Sequence, residues 1–435
     1  MPDGNAHKFY YKECHAEKRN ESFKKEDFQK RRIIMNTKKK FLSFALACLI
    51  LAMTFSAAVP VFAADAVCKI GDTEYTSFSD ALTAAVAGDV VELLKDIEVD
   101  KIRTSNTNAF TVRSAIVSSG KTVNAKITLK TDSIVSNGST NANKITFENI
   151  DFIQPSTNPN SVINGRGGSV YTFNNCSFAI EGTSGMGAHF VVQSSAGATI
   201  YMNDCAITYI GSDTTNAMFA SFNDMYKSVI NLNNVSVTAP STKTMFRLCS
   251  KMTVNIMGDT TLDNNGGTLF AEGTKNKGGT VNIYNGVTYG AYTAPALEKG
   301  ASIRISSKGL RFSLANASDL SSATAYGMLF AKSSDSLNNS TFIPADTNSG
   351  LVAAENGKTK MVLVGDNAGI TTEYAARAYA QYTDCGGATI TVYSSFNAED
   401  NVRSMSGIAN YIVDNDASSY ETAAIDSIKS VYGIQ

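Results

Sequence analysis

Between residues 144 and 289 one short phrase returns six times: apolar, any, apolar, any, then Asn, Asp or Gly. It reads Ile145-Thr-Phe147-Glu-Asn149, Tyr171-Thr-Phe173-Asn-Asn175, Ile200-Tyr-Met202-Asn-Asp204, Ile230-Asn-Leu232-Asn-Asn234, Val254-Asn-Ile256-Met-Gly258 and Val281-Asn-Ile283-Tyr-Asn285. The closing residues advance by 26, 29, 30, 24 and 27, a jittered period in the range of solenoid repeats. A second phrase keeps step with the first: Phe190-Val-Val, Phe219-Ala-Ser, Phe246-Arg-Leu and Phe270-Ala-Glu, at intervals of 29, 27 and 24. Each unit therefore holds at least two short strands, and nothing in it repeats at 3.6 residues. So small a unit cannot bury a core alone, and its neighbours must stack on it.

Alternation with period two puts Ile145 and Phe147, Tyr171 and Phe173, and their counterparts in every later phrase on one face, with Thr146, Glu148, Thr172 and Asn174 on the other. Strands that recur once per coil, with no room for a crossover helix, stack in parallel only if each coil lies on the one before. A parallel β-helix meets that condition. The phrase-ending Asn, Asp and Gly then mark a bend, because these residues tolerate left-handed backbone. Asn149, Asn175, Asp204, Asn234 and Asn285 are expected to form a polar ladder there.

Coils of this length, the strand-bend-strand phrase and the asparagine at the bend resemble the right-handed β-helix superfamily typified by pectin and pectate lyases, over residues 88–292. The expected class is mainly all-β: a right-handed parallel β-helix followed by a smaller antiparallel β-sandwich-like domain with C-terminal helices. The resemblance speaks for fold and little for activity, since many noncatalytic surface proteins share it. Residues 67–99 resemble the strand-helix-strand opening of secreted β-helix proteins, where the helix covers the first coil. Ser79 or Asp80 is the expected cap of that helix and Gly88 its stop.

Residues 1–34 are densely charged and read as an upstream extension outside the mature protein, with Met35 the expected start. From there Lys38-Lys39-Lys40, an apolar run over 41–58 and Val61-Phe62-Ala63 have the order of a secretory signal peptide, so export and a mature chain from residue 64 are expected. The expected domains are then residues 64–295, the capped β-helix, and 300–435. Setting aside residues 1–63 leaves 26 basic and 33 acidic side chains with no basic cluster, which argues against a nucleic-acid partner. No second apolar stretch is long enough to span a bilayer. Of five remaining cysteines, Cys176 and Cys205 follow the bend in adjacent coils, where they read as buried small hydrophobes or as a bridged pair.

The repeat stops near Pro295 and Gly300. Beyond it, the phrases Gly-Leu-Arg311-Phe, Tyr-Gly-Met-Leu, Ala-Arg377-Ala-Tyr and Tyr-Ser-Ser, followed by Arg403-Ser-Met, resemble an accessory module of secreted proteins of Gram-positive anaerobes. Two helices are expected over 401–413 and 419–431, and the three arginines are expected to hold backbone or ion pairs.

The mature chain has one histidine, His189, expected on a loop or strand edge, so Ser-His-Asp, Cys-His and histidine-metal chemistries lack raw material. No cofactor is expected. A lyase of uronate-containing glycans, with calcium, would have to work through Glu148, Asp151 and Arg166, and a paired-Asp hydrolase finds no suitable pair. The outward positions are instead amides and hydroxyls. Tyr201 and Tyr284 are expected as stacking platforms and Asn203, Asn231, Asn233, Asn255 and Asn282 as hydrogen-bond partners for a glycan or cell-wall polysaccharide. A noncatalytic, secreted or surface-associated β-helix protein is the leading expectation, and the lyase is its alternative.

Overall fold

The computed structural model describes residues 66–136, 142–183, 188–192, 197–221, 227–273, 276–333, 352–353, 360–363 and 369–435. The proposed extension and signal segment, residues 1–63, lie outside the described residues.

Each coil contributes one strand to each of three parallel sheets of a right-handed β-helix. In the main sheet, Lys144–Glu148, Ser169–Asn174, Ala198–Asn203, Ser228–Asn233, Met252–Met257 and Thr280–Ile283 pair in one register. Tyr171 thereby sits between Ile145 and Ile200, and Leu232 between Met202 and Ile256. All twelve expected inward residues, from Ile145 to Ile283, are buried at 3% exposure or less. The two other sheets have seven strands each, running from Ile97–Val99 to Thr261–Asp263 and from Ile102–Thr104 to Phe270–Glu272.

The inner faces interdigitate as columns of like residues. Phe190, Phe219, Phe246 and Phe270 stack in sequence at centroid spacings of 4.8, 4.9 and 5.6 Å, which gives offset aromatic packing along the stack in addition to apolar burial. The second phrase found in the sequence is this column.

At the bend, Asn149, Asn175, Asp204, Asn234 and Gly258 have φ between 51° and 56°, so the left-handed turn falls where the repeat phrase ends. Asn175 donates to Asn149 (2.6 Å) and Asn234 to Asp204 (2.9 Å), completing parts of the expected ladder. Asn285 departs from the pattern: the left-handed residue in its coil is Gly286, and the Asn285 amide donates instead to the Thr260 carbonyl and the Tyr289 hydroxyl. There the chain leaves the stack, so the bend is rebuilt.

The N-terminal edge is closed by the antiparallel hairpin Cys68–Ile70 and Thr73–Tyr75, laid on Val90–Leu93. Helix α1 (Phe78–Ala84) buries Phe78, Ala81 and Leu82 in the core. Its cap is Ser77, whose side chain accepts from the Asp80 amide, rather than Ser79 or Asp80. The helix starts early because Phe78 belongs to its buried face.

At the far end only the main sheet continues. Thr389–Tyr393 pairs in parallel with Thr280–Ile283, and Glu373–Thr383, Ala325–Lys332 and Val352–Ala353 follow in antiparallel order. Ser302–Ile303, Leu310–Ser313 and Lys360–Leu363 form a small antiparallel sheet. Helices α2 (Met405–Asn415) and α3 (Thr422–Tyr432) bury Met405, Ala409, Ile412, Ile428 and Tyr432. One continuous apolar core includes Ile145 and Ile412, and residues 65–435 are one compact unit. The compositional break near 295–300 thus coincides with the end of the repeat, while sheet and core run on past it.

Candidate functional site

The outer face of the main sheet carries two ladders of side-chain hydrogen bonds. In one row Asn203 donates to Asn174 (2.9 Å), which donates to Glu148 (3.4 Å). In the other, Asn282 donates to Asn255 (2.9 Å), Asn255 to Asn231 (2.8 Å), and Asn231 to the Ile200 carbonyl (3.3 Å). The parallel register makes this possible, because it stacks Asn231, Asn255 and Asn282 directly above one another. Each interior amide uses one hydrogen and one lone pair along the stack, which leaves a second of each for a ligand or water. Asn231 is nearly covered at 7% exposure, while Asn233 stands beside Asn203 in register.

Tyr201 sits where the ladders meet, in register with Thr172 and Asn231, and is 42% exposed. Tyr284 does not match it. Its ring is 6% exposed and stacks on Tyr393 at 4.8 Å, because Thr389–Tyr393 docks as the next strand of the sheet. Arg377, 1% exposed, lies 5.5 and 5.4 Å from the two ring centroids and donates to the Ser394 and Tyr284 carbonyls. Burial pushes the Tyr284 phenol up to about 12 against the opposing pull of Arg377, and lowers Arg377 to about 10. The expectation that Tyr284 offers a stacking face is therefore corrected: it is an internal joint between the last coil and the tail. The other two arginines of these phrases also hold local groups, Arg311 the Ser302 hydroxyl (2.8 Å) and Arg403 the Val402 carbonyl (2.7 Å).

The residues of the lyase alternative fall on different faces. Glu148 ends a main-sheet strand, whereas Asp151 lies past the Asn149 bend on the second sheet, accepting from Asn124 (2.8 Å) and Ser177 (2.7 Å). Arg166 follows the third-sheet strand Ile163–Gly165 at the corner leading back to the main sheet, with Nε donating to Asn164 (3.3 Å). A five-residue strand, at about 3.3 Å per residue, separates that corner from Glu148. Proton abstraction and charge neutralisation need groups that converge on one sugar. Among the described residues no group of three or more His, Cys, Asp or Glu could hold a metal ion.

A buried polar cluster was not legible in the sequence. His189 is fully buried inside the corner between the second and third sheets, not on a loop or edge, with its ring 5.0 Å from Tyr209. Neither ring nitrogen is hydrogen-bonded. Lys243, also fully buried, lies 4.1 Å over the Tyr209 ring, pairs with the Asp213 carboxylate (3.2 Å) and donates to the Asp213 carbonyl (2.8 Å). Burial, and then the Lys243 charge, hold His189 down at about 3, with Asp213 pulling the other way. A lone histidine one residue before a core phenylalanine was the only available signal.

No protein-family model matches this chain, and no curated protein does. Among the described residues no helix is long and apolar enough to cross a membrane.

Proposed function

We propose that this is an exported, noncatalytic β-helix protein whose main-sheet face, centred on Tyr201, binds a neutral glycan such as a cell-wall polysaccharide. The observation that carries it is the exposed Tyr201 ring set between two amide ladders. An aromatic face packs on the apolar side of a pyranose while amides with one hydrogen and one lone pair each meet its hydroxyls. Asn174 and Asn203 on one side and Asn231 and Asn255 on the other are the nearest such amides, and Glu148 closes one ladder with the only charge in it. Membership of the pectin- and pectate-lyase-like β-helices, export directed by residues 35–63 and the accessory-module character of 300–435 belong to the same proposal. The first is supported by the sequence resemblance and by the coil architecture, the other two by the sequence alone.

A glycan array paired with an absorbance assay for unsaturated uronates tests it. The protein should bind neutral glycans and release no unsaturated product from pectate, alginate or glycosaminoglycan, with or without calcium. Tyr201→Ala should fold normally and bind about tenfold more weakly, the equivalent of about 1.4 kcal/mol. Unchanged binding by Tyr201→Ala would remove this face from the argument. Product formation abolished by Arg166→Ala would replace binding with lyase chemistry.

A further inference from the structure

Cys176 and Cys205 stand one above the other, immediately after the left-handed residues Asn175 and Asp204 of adjacent coils. Their register is fixed on both sides, by Asn174 against Asn203 and by Ser177 against Ala206. The Ala206 amide donates to the Cys176 carbonyl (3.0 Å) and the Ser236 amide to the Cys205 carbonyl (2.9 Å), so the ladder is unbroken through the pair. Both side chains point inward, at 2% and 3% exposure, and both belong to the apolar core. Directly stacked positions in parallel strands are about 4.8 Å apart, within the range of about 4.4–6.8 Å between Cα atoms that a disulfide spans. Ile150 and Val235 occupy the same column in the flanking coils, so neither thiol has a competing cysteine beside it.

A plainer role is available. Each thiol also donates to carbonyls at the bend, Cys176 to Phe147 (3.5 Å) and Asn174 (3.4 Å), Cys205 to Phe173 (3.4 Å) and Asn203 (3.2 Å). Two coils further on, the Thr260 hydroxyl does the same for Leu232 (3.3 Å) and Met257 (2.6 Å). That use needs a donor and does not explain why two adjacent coils carry sulfur.

We propose that Cys176 and Cys205 are an oxidation site, joined by a disulfide that staples two adjacent coils of the β-helix. The oxidant is a disulfide of the thiol-exchange class. The Cys205 thiolate attacks one of its sulfurs and expels a thiolate; the Cys176 thiol then loses its proton and attacks the Cys205 sulfur, releasing the second carrier thiol. Two protein thiols and one external disulfide thus become one protein disulfide and two external thiols. The two thiols can exchange these roles, since thiolate character in the open chain sets which attacks first. The step belongs to folding, before the flanking coils cover the pair. Once covered, the bridge is shielded from reductants.

The full chain, reduced in denaturant and refolded in mixed reduced and oxidised glutathione, tests this whether or not the chain is exported. After denaturing alkylation and trypsin, Cys176 and Cys205 lie on the one peptide between Arg166 and Lys227, with no other cysteine. The expected result is a peptide lighter by two hydrogens and without alkyl groups, formed in the refolded chain and not in unfolded chain held in the same buffer. The bridge should survive dithiothreitol in native buffer and be lost in denaturant, and reduction should lower the Tm by several degrees. Cys176→Ser and Cys205→Ser keep a donor for the bend carbonyls, and should fold with the Tm of the reduced parent. Two alkyl groups on that peptide after oxidative refolding would overturn the proposal and leave the thiols as bend donors.

Discussion

Leu232→Asp puts the register of the solenoid to its severest test. Leu232 is fully buried in the column between Met202 and Ile256, and its neighbours above and below are held by backbone ladders that prevent them from closing a gap. Truncation alone would cost about 4 kcal/mol, in the upper part of the range for buried leucine. The aspartate adds the cost of neutralising its carboxyl: at pH 7, about 3 units above an ordinary carboxyl pKa of about 3.9, this is about 4 kcal/mol. The sum, about 8 kcal/mol, rivals the whole stability of a typical domain, about 5–15 kcal/mol. A coil in the middle of a stack supports both neighbours, so the loss spreads along the solenoid. Because burial raises the folded-state pKa of the new carboxyl, the folded form binds a proton the unfolded form lacks above about pH 3.9. Its stability therefore falls as pH rises and is regained on acidification. Circular-dichroism melts at pH 7 and pH 4, with Leu232→Asn as the neutral comparator, should show Leu232→Asp unfolded at pH 7 and approaching the Asn variant at pH 4. A pH 7 melt like that of the parent would mean that position 232 faces solvent and the register is shifted by one residue.

His189 should make the parent acid-sensitive. Its pKa, held at about 3 when folded against about 6.5 when unfolded, means that only the unfolded chain takes up this proton near pH 5, so stability present above about pH 6.5 falls by about 2 kcal/mol at pH 5. Denaturant melts of the parent and of His189→Met, which suits a column shared with Val162 and Met218, should show that loss in the parent alone; equal losses would place the sensitivity elsewhere. Gly258→Ala should cost about 2 kcal/mol, since a Cβ there would stand 2.1 Å from the Asn234 side-chain oxygen at φ 55°, whereas Gly71→Ala, at φ 56° in open space, should cost about half as much. Equal Tm shifts for these two variants would refute the crowding argument.

How much of this could be read from the chain follows from what each position must do. Inward residues such as Phe147 and Leu232 have to be apolar and recur once per coil, and bend residues such as Asn175 and Asp204 have to tolerate positive φ. Both demands leave a periodic trace, so the columns and the corner were legible. The exceptions lie where the period fails. Asn285 has the right letter in the wrong coil, because the chain is already leaving the stack and Gly286 takes the turn. His189 occupies a column that the neighbouring coils fill with apolar Val162 and Met218, and nothing local marks the exchange or the Lys243 side chain buried near it.

Outward positions answer to weaker demands, because any polar residue keeps such a face soluble. Tyr201 and Tyr284 looked equivalent in sequence, both outward in the same kind of phrase, and what separates them lies far downstream of Tyr284: Arg377, 93 residues on, which donates to the Tyr284 carbonyl, and Tyr393, whose strand docks beside the last coil and stacks its ring on Tyr284. A contact of that range leaves no pattern in the repeat. The consequence is asymmetric for function. Covering Tyr284 leaves the lower part of the face to Asn255 and Asn282, already joined to each other, and concentrates apolar exposure at Tyr201. A ligand that needs one stacking ring flanked by amides still finds it, and one that needs two rings spaced along the stack does not. Under the proposed function, the ligand is then a short stretch of sugar residues held at one ring, with the amide ladders setting the direction in which the chain of sugars runs.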